Sequence, residues 1–135
     1  MVQFKTQEWA NAFMDSLNKN PNYKESAKTW EGELLLTFKA EKIHLQDDVT
    51  LWLDLWHGEC RAAKFMGKDE NLPFKYTITA KESVWNDLIT DQLDASKALM
   101  SGKFKISGNA ALLMRYPKAA AYIIKYLKRL LTSWD

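Results

Sequence analysis

Ser101-Gly-Lys-Phe-Lys-Ile-Ser-Gly-Asn-Ala-Ala-Leu-Leu-Met114 is the stretch that decides the fold of this chain. Side chains alternate along a strand, so Phe104 and Ile106 would face one side of a sheet while the lysines beside them face the other. The Ser-Gly-Asn that follows is typical of a turn with a helix cap, which Asn109 would provide for an apolar helix. The stretch has no nucleophile, metal ligand or phosphate loop, and it favours a protein that binds an apolar ligand over an enzyme.

The chain up to residue 80 predicts one helix and four strands. An apolar stripe at helical spacing predicts a helix over residues 6–19, and Asn20-Pro21-Asn22 is expected to end it. Alternation of apolar and polar residues then predicts strands over 28–40, 49–57, 60–66 and 74–80. Gly32 leaves space on the apolar side of the first strand for a close approach.

Further helices are predicted between residue 80 and the opening stretch, and after it. Thr79-Ala-Lys-Glu82 has the spacing of a capping box, in which two side chains exchange hydrogen bonds with the backbone at the start of a helix. A short helix is predicted over residues 94–100 and a last helix over about 118–133. Gly102 is suited to the position that follows a helix.

The order of these elements predicts the fold class. Strands that are bunched before helices are typical of α+β proteins, here a single five-stranded, mostly antiparallel sheet with helices packed on one face. A chain of 135 residues is long enough for one domain with a real core, so residues 1–135 are expected to form a single domain.

Composition excludes several classes of protein. The single cysteine rules out an intramolecular disulfide and a cysteine-based metal site, and it favours a reducing compartment. Neither a signal-peptide pattern nor an apolar run of membrane-spanning length occurs, so a cytoplasmic location is expected.

Charge is unevenly distributed along the chain. Residues 1–96 carry 11 basic and 16 acidic side chains, a net of −5, whereas residues 97–135 carry eight basic side chains and only Asp135, a net of +7. The excess either coats solvated faces or forms a basic face for an anionic lipid or membrane surface. Nucleic acid is not expected as a partner, because the aromatic residues do not interleave with the basic ones.

Few residues could carry catalysis or bind a metal. His57 and Cys60 flank a predicted hairpin turn, but a reactive pair would need a third, orienting group. His44 stands apart from both. Asp54, between two tryptophans, is expected to form a salt bridge with Arg61 or Lys64 on the paired strand. We therefore expect no catalytic residue and no metal site.

Trp52 and Trp56 would point away from the helices if the leucines between them face the core. Either the first helix or the loop at 41–48 covers them, or they are exposed. Exposed aromatic side chains of this size mark interfaces, so a homodimer or a membrane contact through both tryptophans is the alternative.

Several segments of the chain carry a resemblance to a known family. Residues 101–109 closely resemble a GKLKITGN signature, and 110–114 resemble the helix behind it. Phe-Lys-Tyr-Thr-Ile-Thr at 74–79 resembles a strand of the CTITM kind, and 83–89 the helix after it. With a hairpin at 57–59, this order resembles the sterol carrier protein 2 (SCP-2) sterol-binding domain family.

The resemblance implies a non-enzymatic carrier that holds a fatty acyl chain, a sterol or a similar lipid in an apolar tunnel between sheet and helices, without metal or cofactor. The residues expected to line the tunnel are Trp85, Leu88, Leu99, Phe104, Ile106, Leu112, Ile123 and Leu127. The residues expected to form a basic rim are Arg115, Lys118, Lys125, Lys128 and Arg129. Periodicity does not separate an open tunnel from a filled core, and the alternative is a protein–protein interaction module on the same fold with a cavity filled by its own side chains.

Overall fold

The structure is a computed structural model that describes residues 3–107, 115–132 and 134. Its helices are α1 (Gln7–Asn18), α2 (Pro21–Ser26), α3 (Glu82–Ile89), α4 (Ala95–Met100) and α5 (Pro117–Leu130). Its strands are β1 (Glu31–Lys39), β2 (Val49–Trp56), β3 (Glu59–Phe65), β4 (Tyr76–Lys81) and β5 (Lys105–Ser107). The helical turn predicted to open at Asn109 lies outside the described residues.

The strands form one sheet in the order β3-β2-β1-β4-β5. Three neighbouring pairs are antiparallel, and β1 pairs with β4 in parallel. The parallel pair arises because the chain leaves β3 at one edge and crosses the sheet to the far side of β1 through the 66–75 connection, where the Lys75 N–H donates to the Glu33 carbonyl over 3.0 Å. The predicted fold class, a single mostly antiparallel sheet with helices, is confirmed.

The start of the chain folds into two helices where the sequence predicted one. Thr6 caps α1, because its hydroxyl accepts the N–H of Trp9 over 3.2 Å. Asn20-Pro21 was expected only to end this helix, but Asn20 caps α2 by accepting the N–H of Tyr23 over 3.0 Å. Pro21 occupies the first helical position, where its missing N–H costs nothing.

Helix α1 covers the edge of the sheet at β3. The Gln7 side-chain amide donates to the Ala63 carbonyl over 2.8 Å. Asn18 makes two bonds to Cys60, donating to its carbonyl over 2.9 Å and accepting its N–H over 2.8 Å. Unpaired backbone groups on an edge strand can form hydrogen bonds with a strand of another chain. Because Gln7 and Asn18 bond these groups, β3 is protected from such pairing.

The hairpin between β2 and β3 turns at His57 and Gly58, as predicted. Their φ angles are 50° and 83°, the left-handed values that a two-residue hairpin loop requires. A Cβ atom on Gly58 would lie 2.5 Å from the carbonyl oxygen of Lys24, because α2 packs directly against the turn. The space predicted beside Gly32 is likewise occupied, since the Lys75 side chain approaches it closely.

The predicted capping box at the start of α3 is wrong. Lys81 occupies the cap position and its side chain makes no capping bond. Glu82 is instead fully buried and turns toward the connection between β1 and β2. Its carboxylate accepts four backbone N–H groups of that connection, from Glu41 (2.6 Å), Ile43 (3.1 Å), His44 (2.8 Å) and Leu45 (3.1 Å).

One continuous apolar core lies between the sheet and the helices. β1 contributes Leu34, Leu36 and Phe38 to it, while the facing side of β2 contributes alternate leucines. The Trp85 indole N–H, deep in the core, donates to the Thr37 and Ala80 carbonyls over 3.2 Å each. The alternation that predicted these strands is therefore the alternation of core and outer face.

Candidate functional site

The predicted lining residues meet between the sheet and three helices. Those on helices come from α3 (Trp85, Leu88), α4 (Leu99) and α5 (Ile123, Leu127), and all of them are buried in the one core cluster. Phe104 precedes β5 and Ile106 lies within it. Leu112 lies outside the described residues. The sequence therefore identified side chains that share one apolar layer, which we call the lining layer.

Ring contacts fix the centre of the lining layer. The Trp85 ring lies 4.4 Å from the ring of Phe38 and 4.9 Å from that of Phe104, between centroids. The Phe104 contact is edge-to-face, the favourable orientation for two aromatic rings. Phe104 is only 4% exposed, so these side chains pack against one another in the described part of the chain.

The described part of the layer is less completely buried at the β5 edge of the sheet. Ile106 pairs in register with Ile78 of β4, so both side chains lie on the same face of the sheet. Ile78 is fully buried, whereas Ile106 is half-buried. The layer thus passes from a packed centre at Trp85 to a partly accessible apolar wall at Ile106.

The predicted basic rim lies on and before α5. Arg115, Lys118, Lys125 and Arg129 are exposed, and the Arg129 guanidinium lies 5.0 Å from the ring centre of Tyr126. Lys128 is half-buried and forms an ion pair with Asp91 in the connection between α3 and α4. Sequence reasoning missed this pair, because nothing in the local pattern links residues so far apart.

A polar groove that the sequence did not indicate lies at the end of the sheet. It has a volume of about 710 Å³ and carries both signs of charge. The groove is lined by Ala40, Lys42, Gln46, Asp47, Asp48, Thr50, Met66, Gly67, Lys68 and Glu70. The Ala40 N–H donates to Asp48 over 2.8 Å, and this bond lowers the pKa of that carboxyl below its usual value. Two loops distant in the sequence form the groove, so no local signal could reveal it.

The thiol of Cys60 is not poised for chemistry. Burial raises its pKa to about 12, so it stays protonated at neutral pH. His57 is exposed and its Nε2 lies 2.5 Å from a carboxylate oxygen of Glu31, not beside the thiol. Among the described residues, no group of three His, Cys, Asp or Glu side chains could hold a metal ion.

Asp54 forms the predicted salt bridge, and its partner is Arg61. The guanidinium donates through Nε over 3.2 Å and through Nη2 over 3.0 Å, one bond to each carboxylate oxygen. Lys64, the other expected partner, pairs with Glu70 instead. Asp54 is thus explained as half of a cross-strand ion pair.

The two tryptophans of β2 lie on the outer face of the sheet. Trp52 is half-buried, and its indole N–H donates to the Pro73 carbonyl over 2.8 Å. The contact comes from the connection before β4 rather than from α1 or the 41–48 loop. Trp56 is 39% exposed, with the His57 ring stacked 4.9 Å away and the Arg61 guanidinium 5.0 Å from its ring.

Within residues 3–107 and 115–132, no helix combines the length and the apolar character that crossing a membrane requires. The long α5 has an apolar side that is buried and an outer side that is charged. The apolar side of α5 therefore packs against the rest of the domain.

Comparison with known proteins places these features in one family. The model of the SCP-2 sterol transfer family matches residues 10–120, which is most of the chain. No curated protein sequence matches the chain.

Solved structures agree with the family match. The crystal structure of a sterol carrier protein 2 has 32% sequence identity and a TM-score of 0.79, over 93% of this chain and 98% of that one. A conserved hypothetical protein from Thermus thermophilus, described as possibly a sterol carrier protein, has 30% identity and a TM-score of 0.78, over 100% of this chain and 94% of that one. Palmitated SCP2L2 from Aedes aegypti has 20% identity and a TM-score of 0.56 over 90% of this chain and 95% of that one, which shows a shared fold.

Proposed function

The chain belongs to the SCP-2 sterol transfer family, and on that premise we propose that it is a non-enzymatic carrier whose lining layer holds an acyl chain or a sterol. Family membership makes it a lipid-binding or lipid-transfer domain. The finer proposal is the place of the ligand, which lies against Ile106 and Phe104 and is enclosed by α3, α4 and α5.

The observation that carries this proposal is the half-buried wall at Ile106. A core that served only for stability would gain by closing over this isoleucine, yet Ile106 stays partly exposed while it packs against the core cluster that contains Trp85 and Phe104. An apolar ligand lying there would cover Ile106 and extend the layer that begins at Trp85.

The energetics suit an apolar ligand. Burying a sixteen-carbon chain at roughly 0.8 kcal/mol per methylene gives about 13 kcal/mol before costs. Association and ordering remove several kcal/mol of this, which leaves room for micromolar or tighter binding. No specific polar contact is needed, and the lining residues supply none.

Ligand binding can be tested with the purified protein and with one blocking variant. Native mass spectrometry should detect co-purified lipid, and a fluorescent fatty acid should bind with micromolar affinity. Ile106→Trp adds bulk on the half-buried wall, so it should weaken fatty-acid binding at least about tenfold by filling the site. Thr79→Trp is the matched control, because Thr79 is half-buried on the opposite face of neighbouring β4.

Two results would overturn the proposal. One is a protein that carries no lipid and ignores fluorescent fatty acids and sterols. The other is an Ile106→Trp variant that binds fatty acid as well as wild type, because the ligand would then lie elsewhere.

A second candidate function, an interaction module, rests on the outer face of the sheet. Trp56 there is 39% exposed and Phe74, beside the Trp52 contact, is 50% exposed. If this face joins two copies of the chain, replacing Trp52 and Trp56 by Ser should convert a dimer into a monomer in sedimentation experiments. A wild-type protein that sediments as a monomer at high concentration would exclude the homodimer.

A further inference from the structure

The outer side of α5 carries positive charge only. The helix contains Lys118, Lys125, Lys128 and Arg129 and no Asp or Glu. Lys118, Lys125 and Arg129 follow one another at intervals of seven and four residues, which places them on one face of a helix. Half-buried Tyr122 falls on the same face, so we call these four side chains the basic face.

The cations of the basic face are available to a partner. Lys128, outside this set, is the α5 cation that is held in an ion pair, with Asp91. Within the part of the chain that the structure describes, no carboxylate lies at ion-pair distance from Lys118, Lys125 or Arg129. Three exposed cations on one helix therefore remain without a counter-charge among the described residues.

The positive charge of the basic face does not continue onto α1. Helix α1, which packs against α5, exposes Glu8 and Asp15 together with Lys19. Two acidic side chains against one basic side chain give this region a net negative charge, so the basic face does not continue onto it. A partner that follows the charge would meet α5 rather than the first helix.

The other side of α5 belongs to the lining layer. Ile123 and Leu127 are buried there, and the helix contacts α1, α2, α3 and α4. Because this apolar side is already buried, α5 cannot insert it into a bilayer without unpacking the domain. The helix can only adsorb through its charges, with the Tyr122 ring at the level of the head groups.

We propose that the basic face is a docking surface for an anionic lipid bilayer, which brings the helix that walls the lining layer against the membrane. Phosphate head groups complement the three free cations, and the bilayer as source or acceptor of lipid rests on the proposed carrier function. The bilayer is favoured over nucleic acid, because the face has no set of aromatic rings on which successive bases could stack.

The size of the effect follows from the number of cations. Each Lys or Arg close to an anionic membrane strengthens partitioning roughly fivefold, so three of them give a factor on the order of 100. Screening shortens the reach of these charges to about 3 Å near 1 M salt, so binding should be lost there.

Vesicle co-sedimentation tests the proposal. Wild-type protein should bind phosphatidylcholine vesicles that contain about a third phosphatidylglycerol and should ignore pure phosphatidylcholine vesicles. Lys118→Gln, Lys125→Gln and Arg129→Gln combined should reduce the partition coefficient by a factor on the order of 100. The matched control removes the same charge from the exposed residues Lys19, Lys24 and Lys68, and it should lose less than about threefold.

The outcomes separate this inference from the carrier function. Equal binding of wild type to both kinds of vesicle, equal losses in the two triple variants, or binding of a nucleic-acid fragment without binding of vesicles would each overturn the docking surface. Fatty-acid binding without vesicle binding overturns the docking surface alone, whereas vesicle binding without any lipid ligand overturns the carrier function alone. A further test uses wild-type protein alone. Vesicle binding that survives at about 1 M salt would contradict the proposal.

Discussion

The buried carboxylate of Glu82 accepts the backbone N–H of His44 over 2.8 Å and ties the first turn of α3 to the connection between β1 and β2. Three further N–H groups of that connection donate to the same carboxylate. One side chain thus satisfies four backbone donors that no strand or helix pairs. The connection buries Leu45 in the core but leaves Ile43 with 61% of its surface exposed, so the carboxylate and Leu45 together anchor it.

Replacing Glu82 by Gln should destabilise the domain by about 2 to 4 kcal/mol. The amide keeps the size of the side chain but loses the charge that strengthens the four bonds. Its NH₂ group is itself a donor, so it cannot accept from the backbone N–H groups that it would face. Urea denaturation measures the change, with Asp47→Asn as a control because Asp47 is exposed in the same connection. Equal stability of the two variants would show that the Glu82 contacts contribute little.

The same contacts predict how stability depends on pH. Burial raises the pKa of the Glu82 carboxyl, but the four backbone donations together outweigh it and hold the pKa below its ordinary value. The folded state therefore binds this proton more weakly than the unfolded state does. The stability from Glu82 is complete above the ordinary glutamate pKa and is lost as pH falls through the folded pKa.

Wild type and Glu82→Gln should consequently converge in stability as the pH falls below the ordinary glutamate pKa, and differ by a constant amount near neutrality. Urea denaturation of both proteins across this range measures the gap. A gap that widens as pH falls would mean that the sign of the pKa shift is wrong.

Cys60 should resist alkylation in the folded protein. Burial raises the pKa of the thiol to about 12, so its thiolate fraction at pH 8 is roughly a thousandth of that of a free cysteine. Iodoacetamide labelling followed by mass spectrometry should be at least about 100-fold slower for the folded protein than in guanidinium chloride. Rapid labelling of the folded protein would place the thiol at the surface.

Local periodicity predicted most of the fold. Apart from apolar Leu35, the residues that alternate with Leu34, Leu36 and Phe38 are polar, and this pattern depends on which face of β1 is buried. The burial of Trp85 on α3 and of Phe104 just before β5 was predictable for the same reason, because both are apolar residues at positions that the periodicity places inside.

Features that depend on distant partners were not predictable. Thr79 and Glu82 have the spacing of a capping box, but the nearby loop offers Glu82 four donors and the local cap only one. Lys128 likewise finds Asp91 only after the helices pack. Whether Ile106 is covered also depends on how several elements meet, which a sequence pattern does not encode.

Gly58 and Gly102 provide a matched pair that separates backbone strain from steric clash. Both have a φ of 83°, where any residue with a Cβ atom is strained by about 1 kcal/mol. A Cβ on Gly58 would lie 2.5 Å from the Lys24 carbonyl oxygen, whereas a Cβ on Gly102 would meet nothing within 4 Å. Gly102→Ala should therefore cost about 1 kcal/mol in urea denaturation, and Gly58→Ala at least about 2 kcal/mol more, because α2 must move away from the turn. Equal losses would mean that α2 does not press against the hairpin.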